Sequence, residues 1–251
     1  PTRRTGRLFR SRSSRSTSSS LVHRRTSIAR EVGRVRHNWA IDERERRRHL
    51  ERRGTAHAFD LADAGRIALV VIDVVPFFTR ANPYAAGIIP NVNLLAGALR
   101  AAGGTIAWVV PTDSPPSAAQ RELLGEVASA GYRASGGIGP LLERLDPMLD
   151  LAVDDLVCEK SGRSAFFPGS CNLHDRLAAR RIDTVLVAGT VANVCCESSV
   201  RDAAELGYRV VMVADANAAG TDAELNATLH TVYRSFGDVR PTSELIAELA
   251  R

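Results

Sequence analysis

Lysine is nearly missing from this chain. Of its 33 basic residues, 32 are arginine, and the exception is Lys160, within "DDLVCEKSGRSAFF" (154–167). No apolar run approaches the roughly 18 residues that a membrane span needs, so a spanning helix is excluded and a soluble protein is expected. No Gly-x-Gly-x-x-Gly follows a strand signal, which argues against a dinucleotide-binding oxidoreductase. The four cysteines (158, 171, 195 and 196) form no disulfide-like framework, a usage that suits a reducing cytoplasm.

Acid is missing too, but only locally. Residues 1–30 carry nine arginines, many serines and no Asp or Glu, and such a stretch buries too little apolar surface to offset the entropy of ordering. Residues 1–36 are therefore expected to be a disordered Arg/Ser-rich tail. Its arginines suit non-specific contact with nucleic-acid phosphates, and its composition also resembles an organelle transit peptide. The plainer readings are a solvated tail or a stretch translated from upstream of the true start. Residues 1–53 hold 17 arginines against five acids, a charge of +12, so with +5 overall, residues 54–251 carry −7. The globular part, expected over 37–251, is acidic and long enough for one α/β domain.

Within that part, buried-strand and helix signals alternate. "RIALVVIDVV" (66–75) is a continuous apolar run with a carboxylate, Asp73, near its end, as in a parallel strand buried on both faces. Helical spacing over 91–103 leads to a strand at 104–110. Further strands are expected at 155–160, 183–189 and 208–215, and helices at 172–181, 193–207 and 221–236. "HNWAIDERERRRHLERRGTAHAFD" (37–60) suggests a charged surface helix tethered by Trp39. This order predicts a three-layer α/β/α fold around a mostly parallel sheet.

Sites in such folds form beyond the carboxyl ends of strands. Asp73, Lys160 and Cys195 all fall there. Asn193 is a plausible N-cap, which places Cys195 in a first helical turn, where amides and cations lower a thiol pKa and can hold an oxyanion. Taken singly, each has a plain alternative: a buried small hydrophobe for the cysteine, a loop cap for Asp73, a surface charge for Lys160. Their coincidence, with lysine chosen once against arginine, points to chemistry.

"ALVVIDVVPFF", "CEKSGRSAFFPGSCNLHDRL" and "VLVAGTVANVCCESSVRDAAELGYRVVMVADANAA" resemble the three signature blocks of the isochorismatase-like cysteine hydrolases, over roughly residues 37–250. The resemblance implies a triad of Asp73 as proton acceptor, Lys160 as positioning cation and Cys195 as nucleophile. It also implies a cis peptide between Thr190 and Val191, with the amides of Val191 and Cys195 as oxyanion hole. The implied reaction cleaves a small amide through a thioester and releases ammonia, without a cofactor. A homo-oligomer, dimer or tetramer, is implied as well.

Departures refine the expectation. No histidine lies between 58 and 173, so the metal-binding histidines of the nicotinamidase branch are missing and no metal is expected. True isochorismatases generally lack the cysteine, so Cys195 favours amide hydrolysis, and the third block resembles the carbamoyl and ureido amidohydrolases most. A family member with another small substrate, and a nucleic-acid-binding tail on a passenger hydrolase fold, are the alternatives. Val74-Val75-Pro76 and Ala192 depart from the residues of many relatives beside the triad. Phe77, Phe78, Asn82, Trp108, Arg163, Phe166 and Phe167 are candidate pocket residues, with Arg163 a candidate partner for a substrate carboxylate.

Overall fold

The computed structural model describes residues 35–251, so the expected tail over 1–36 lies outside the described residues except for Val35 and Arg36. Six strands form one sheet: β1 (Ile67–Ile72), β2 (Thr105–Pro111), β3 (Leu156–Lys160), β4 (Thr184–Thr190), β5 (Arg209–Ala218) and β6 (Asp238–Arg240). Their order is β3-β2-β1-β4-β5-β6, and every pairing is parallel. The expectation of a mostly parallel sheet is met by a wholly parallel one.

The continuous apolar strands are explained by two cores, one on each face. Successive side chains of a strand point to opposite faces. Ala68, Val70 and Ile72 of β1 accordingly enter one cluster, and Ile67, Leu69 and Val71 the other. The first face is covered by α7 (Leu173–Ala178), α8 (Glu197–Glu205) and α9 (Asp222–Ser235), through Leu177, Val200 and Leu229 among others. Against the second face pack α3 (Pro83–Gly87), α4 (Ile89–Ala101) and α10 (Thr242–Leu249), through Ala85, Leu95 and Leu245. Each fully buried Leu or Val contributes about 1.5–3 kcal/mol, and the three layers hold because the central strands β1, β2, β4 and β5 are covered on both faces, while edge strand β3 leaves Glu159 exposed.

The charged segment near the start of the domain forms α1 (Glu43–Arg53), and Trp39 and Ile41 pack on the first core as expected. This helix is more than a surface feature. It buries Glu45 against Arg234 at 3.1 Å, and His49 Nε2 lies 2.9 Å from the Tyr233 carbonyl. Five helices fall where periodicity gave no signal: α2 (Pro76–Ala81), α3, α5 (Ala118–Leu124), α6 (Glu126–Arg133) and α10. Among the described residues no helix is long and apolar enough to cross a membrane.

Chain order reverses between β1 and β4: β2 and β3 lie on one side of β1, and β4 to β6 on the other. Such a switch point opens a crevice at the carboxyl edge. The register aligns Ile72 with Gly189 and Pro111 with Lys160 there.

Candidate active site

Three strand ends deliver three reactive side chains to that crevice. Asp73 is the first residue after β1. Its N–H donates to the Val109 carbonyl at 2.9 Å, continuing the ladder to β2, while its φ of 54° turns the chain away from the sheet. Aspartate tolerates this left-handed conformation better than most side chains. Lys160 ends β3, two strands from β1, a lateral gap of about 10 Å at the usual strand spacing. Its unbranched stem crosses that gap over the end of β2. Nζ lies 2.8 Å from Asp73 Oδ2, 3.1 Å from the Gly162 carbonyl and 3.6 Å from Cys195 Sγ.

Those three contacts explain the choice of lysine. An ammonium has three N–H donors, and three acceptors surround it; a guanidinium would bring five donors in a planar fork. Lys160 and Asp73 are almost wholly buried, at 3% and 1% exposure, and Cys195 is at 8%.

Cys195 follows β4 by way of a cis peptide between Thr190 and Val191, as the resemblance implies. It lies in a π-helical turn, Ala192–Cys196, that runs into α8. The N–H groups of Val194 and Cys196 both donate to the Val191 carbonyl, at 3.0 and 3.3 Å. Asn193 is not the N-cap; Val191 precedes the turn and no side chain caps it. The wide turn carries Cys195 sideways toward Lys160.

Burial decides the direction of the shift at Asp73 and Cys195 but not at Lys160. It raises the Asp73 carboxyl above its ordinary range, with Lys160 and the Cys195 thiol offsetting it in part. Burial alone would pull Lys160 down, but the charges of Asp73 and Cys195 outweigh it and hold the ammonium above its usual value. Burial, followed by the Asp73 charge, pushes the Cys195 thiol up to about 12 against the pull of Lys160. The lowered thiol expected from the sequence is therefore not what the structure has: the cysteine rests protonated. Asp73 Oδ1 is buried and has no hydrogen-bond partner among the described residues.

The trio sits at the floor of a cavity of about 300 Å³. Val191 and Val194 form one side. The opposite wall comes from the segment after β2, with Thr112, Ser114, Tyr132 and Ser135, and Phe78 of α2 completes it. Arg144 fastens this wall to the sheet. It donates to the carbonyls of Gly136 (2.6 Å) and Pro111 and to Glu159 Oε1 (2.6 Å), the residue before Lys160. Arg163 and Arg133 stand at the rim. Arg133 is paired with Asp113 at 2.6 Å, whereas Arg163 is exposed and makes no ion pair among the described residues. Asp73 is the only carboxylate among the described lining residues, so the cavity favours anions.

Comparison with known proteins decides the family. The isochorismatase domain model matches residues 67–244. This chain belongs to the isochorismatase family. As an isochorismatase-family hydrolase it is 27% identical over 194 residues to an N-carbamoylsarcosine amidase from an Arthrobacter species, covering 73% of this chain and 71% of the relative. It is 36% identical over 98 residues to the ureidoacrylate amidohydrolase RutB of Rhizobium rhizogenes, covering 39% of each. The crystal structure of a cysteine hydrolase from Pseudomonas syringae pv. phaseolicola 1448A superposes with a TM-score of 0.65 at 26% identity, covering 74% of this chain and 93% of that one.

Within this isochorismatase-family fold, several expected pocket residues lie elsewhere. Trp108 points into the second core, fully buried, and its indole N–H donates to Asp155 Oδ2 at 2.7 Å. Phe166 is buried in the first core beside Tyr208, ring centroids 5.5 Å apart. Phe77 packs edge-on to Phe78 from outside, and Phe167 is exposed. Asn82 caps α3, accepting from the Tyr84 N–H at 2.9 Å, and donates to the Ala219 carbonyl. The wall residues Thr112, Ser114, Tyr132 and Ser135 were not singled out. Their position after the end of β2 was the available signal.

Proposed function

We propose that this hydrolase is a cysteine-dependent amidohydrolase that cleaves a small carbamoyl or ureido amide and releases ammonia through a thioester. One observation carries the reading: Lys160 Nζ bridges the Asp73 carboxylate and the Cys195 sulfur at the floor of a cavity. The names of the relatives support the amide.

In this scheme the thiol proton passes to Asp73, whose Oδ1 has no partner among the described residues and whose raised pKa makes it a better base than a surface aspartate. Because the resting thiol sits near 12, its proton leaves as the sulfur attacks the carbonyl carbon, and no standing thiolate is needed. The backbone amides of Val191 and Cys195 receive the oxyanion. Asp73 returns the proton to the departing nitrogen, ammonia leaves, and water, deprotonated by the same carboxylate, opens the thioester. Lys160 stays charged throughout and holds both partners. Arg163 pairs with an acidic group on the far end of the substrate.

The deciding assay is ammonia release from a panel of N-carbamoyl amino acids, biuret, ureidoacrylate and nicotinamide, run beside Cys195→Ala. Turnover of a carbamoyl or ureido compound that disappears in Cys195→Ala supports the proposal. Undiminished turnover in that variant would sink it.

A further inference from the structure

Lys160 and Cys195 stand 35 residues apart, and Nζ reaches the sulfur at 3.6 Å, a longer contact than the 2.8 Å to Asp73 or the 3.1 Å to the Gly162 carbonyl. That contact depends on how the turn carrying the sulfur is seated against the loop that follows the lysine. A side chain outside the cavity joins the two. Ser199, the third residue of α8, is fully buried. Its hydroxyl donates to the Cys195 carbonyl at 2.7 Å and accepts from the Ala165 N–H at 2.9 Å.

The first of these bonds is local, since a serine in a helix readily turns its hydroxyl back to the carbonyl four residues earlier. The second is not: Ala165 lies 34 residues away. A hydroxyl donates and accepts at once, so Ser199 serves both partners together. The bonds form a closed circuit. It runs from the Cys195 sulfur to the Lys160 ammonium, to the Gly162 carbonyl, along the chain to the Ala165 N–H, through the Ser199 hydroxyl and back to Cys195 at its carbonyl. The loop is braced within itself, by the Ser161 N–H on the Ser170 carbonyl at 2.9 Å and the Ser170 hydroxyl on the Ser164 carbonyl at 2.9 Å, so anchoring Ala165 also anchors Gly162.

We propose that Ser199 is a positioning residue for the nucleophile, whose hydroxyl seats the Cys195 turn against the 161–170 loop and thereby fixes the distance between sulfur and ammonium. This role rests on Cys195 as nucleophile and Lys160 as its cation. Ser199 does not line the cavity, so loss of its hydroxyl leaves the walls in place. It orphans the buried Ala165 N–H and frees the turn. A misplacement of about 1 Å at a reacting group can cost about 100-fold in rate, and the loss should fall on kcat rather than KM.

The experiment compares the full-length protein with Ser199→Ala, Ser199→Thr and Ser199→Val, the last two alike in shape but differing in the hydroxyl, and runs Cys195→Ala beside them. Turnover of the best substrate of the panel is read together with the rate at which iodoacetamide, itself a small amide, alkylates Cys195 at one fixed pH, followed by peptide mass. The alkylation arm needs no turnover and so tests the seating of the sulfur by itself. The expected result is a kcat lower by about tenfold or more in the alanine and valine variants, KM within about twofold, Cys195 alkylation slowed several-fold, and recovery of most of both losses in the threonine variant. Turnover that survives in Cys195→Ala would remove the nucleophile on which this role rests. Wild-type kcat and alkylation in Ser199→Ala beside an inactive Cys195→Ala would overturn the role of Ser199 alone. So would a threonine variant no better than the valine one, or a melting temperature that falls while kcat and alkylation of the folded enzyme do not.

Discussion

Gly189 and Ile72 meet so closely across the β1–β4 seam that a Cβ on the glycine would come within 2.1 Å of the Ile72 carbonyl oxygen. Gly189 also has a φ of 126°, which side-chain-bearing residues rarely adopt. Ile72 immediately precedes Asp73, and Gly189 stands six residues before Cys195. Gly189→Ala should therefore push the two strand ends apart, at a cost of about 1–3 kcal/mol. Thermal unfolding reads the loss, and turnover should fall further than the melting temperature alone explains. A variant with unchanged stability and turnover would show that the seam tolerates a methyl group.

Lys160 is the second test. Lys160→Met leaves Asp73 buried without its counter-ion, and breaking a buried pair this way costs about 3–5 kcal/mol. Lys160→Arg keeps the charge but brings a fork for which the site lacks acceptors. Both should lower kcat by about 100-fold or more, comparable with loss of a positioned acid–base group. Steady-state kinetics on the best substrate of the panel decides, and wild-type kcat in the arginine variant would remove the argument from three donors and three acceptors.

Asp73 sets the acid limb. Because its carboxyl is raised above 3.8, kcat/KM should fall on acidification with a midpoint above the ordinary carboxylate range. Stability runs the other way for this group. Between 3.8 and the raised folded value, the native state keeps a proton that the unfolded chain has released, so Asp73's contribution to stability declines as pH rises through that window. The stability difference between wild type and Asp73→Asn, measured by urea unfolding across that window, should shift in favour of the asparagine as pH rises. A difference independent of pH would contradict the raised value.

Arg163 and the aromatic wall should act on binding. Arg163→Ala is expected to raise KM for an acidic ureide about tenfold or more, with kcat nearly constant and partial recovery in Arg163→Lys. An unchanged KM for acidic substrates would take the arginine out of the pocket.

Trp108 supplies the contrast. Trp108→Phe deletes one of the N–H groups that donate to Asp155, which keeps Arg100 and the Ala152 N–H, and should cost about 1 kcal/mol of stability. KM should stay constant, whereas Tyr132→Ala should raise it. A Trp108→Phe variant altered in KM but not in melting temperature would return the residue to the pocket.

What was legible in the sequence follows from where the information is local. Asp73, Lys160 and Cys195 stand at strand ends within short, recognisable blocks, and the apolar runs show which strands are buried on both faces. The side chosen by an aromatic on a strand is not local. Trp108 turns inward toward Asp155, 47 residues away. Asn193 looks like a cap, yet the Val191 carbonyl takes two N–H bonds and widens the turn instead. β6 escaped notice because it is three residues with charges at both ends; Asp238 and Arg240 pair at 3.0 Å in the interior, which the hydropathy pattern cannot show. The pocket wall rides on the short helices α5 and α6 and the loops around them, and its place against the sheet is set by contacts far apart in sequence, such as Arg144 to the Pro111 carbonyl.

The wall's attachment separates two kinds of evolutionary change. The reacting atoms sit just past β1, at the end of β3 and in the turn after β4, whereas one wall facing an incoming molecule rides on the β2–β3 connection, tied to the sheet in part through Arg144. Remodelling that connection alters which molecules are accepted without disturbing the machinery beneath, so new specificities can arise in this scaffold by altering one stretch of surface chain.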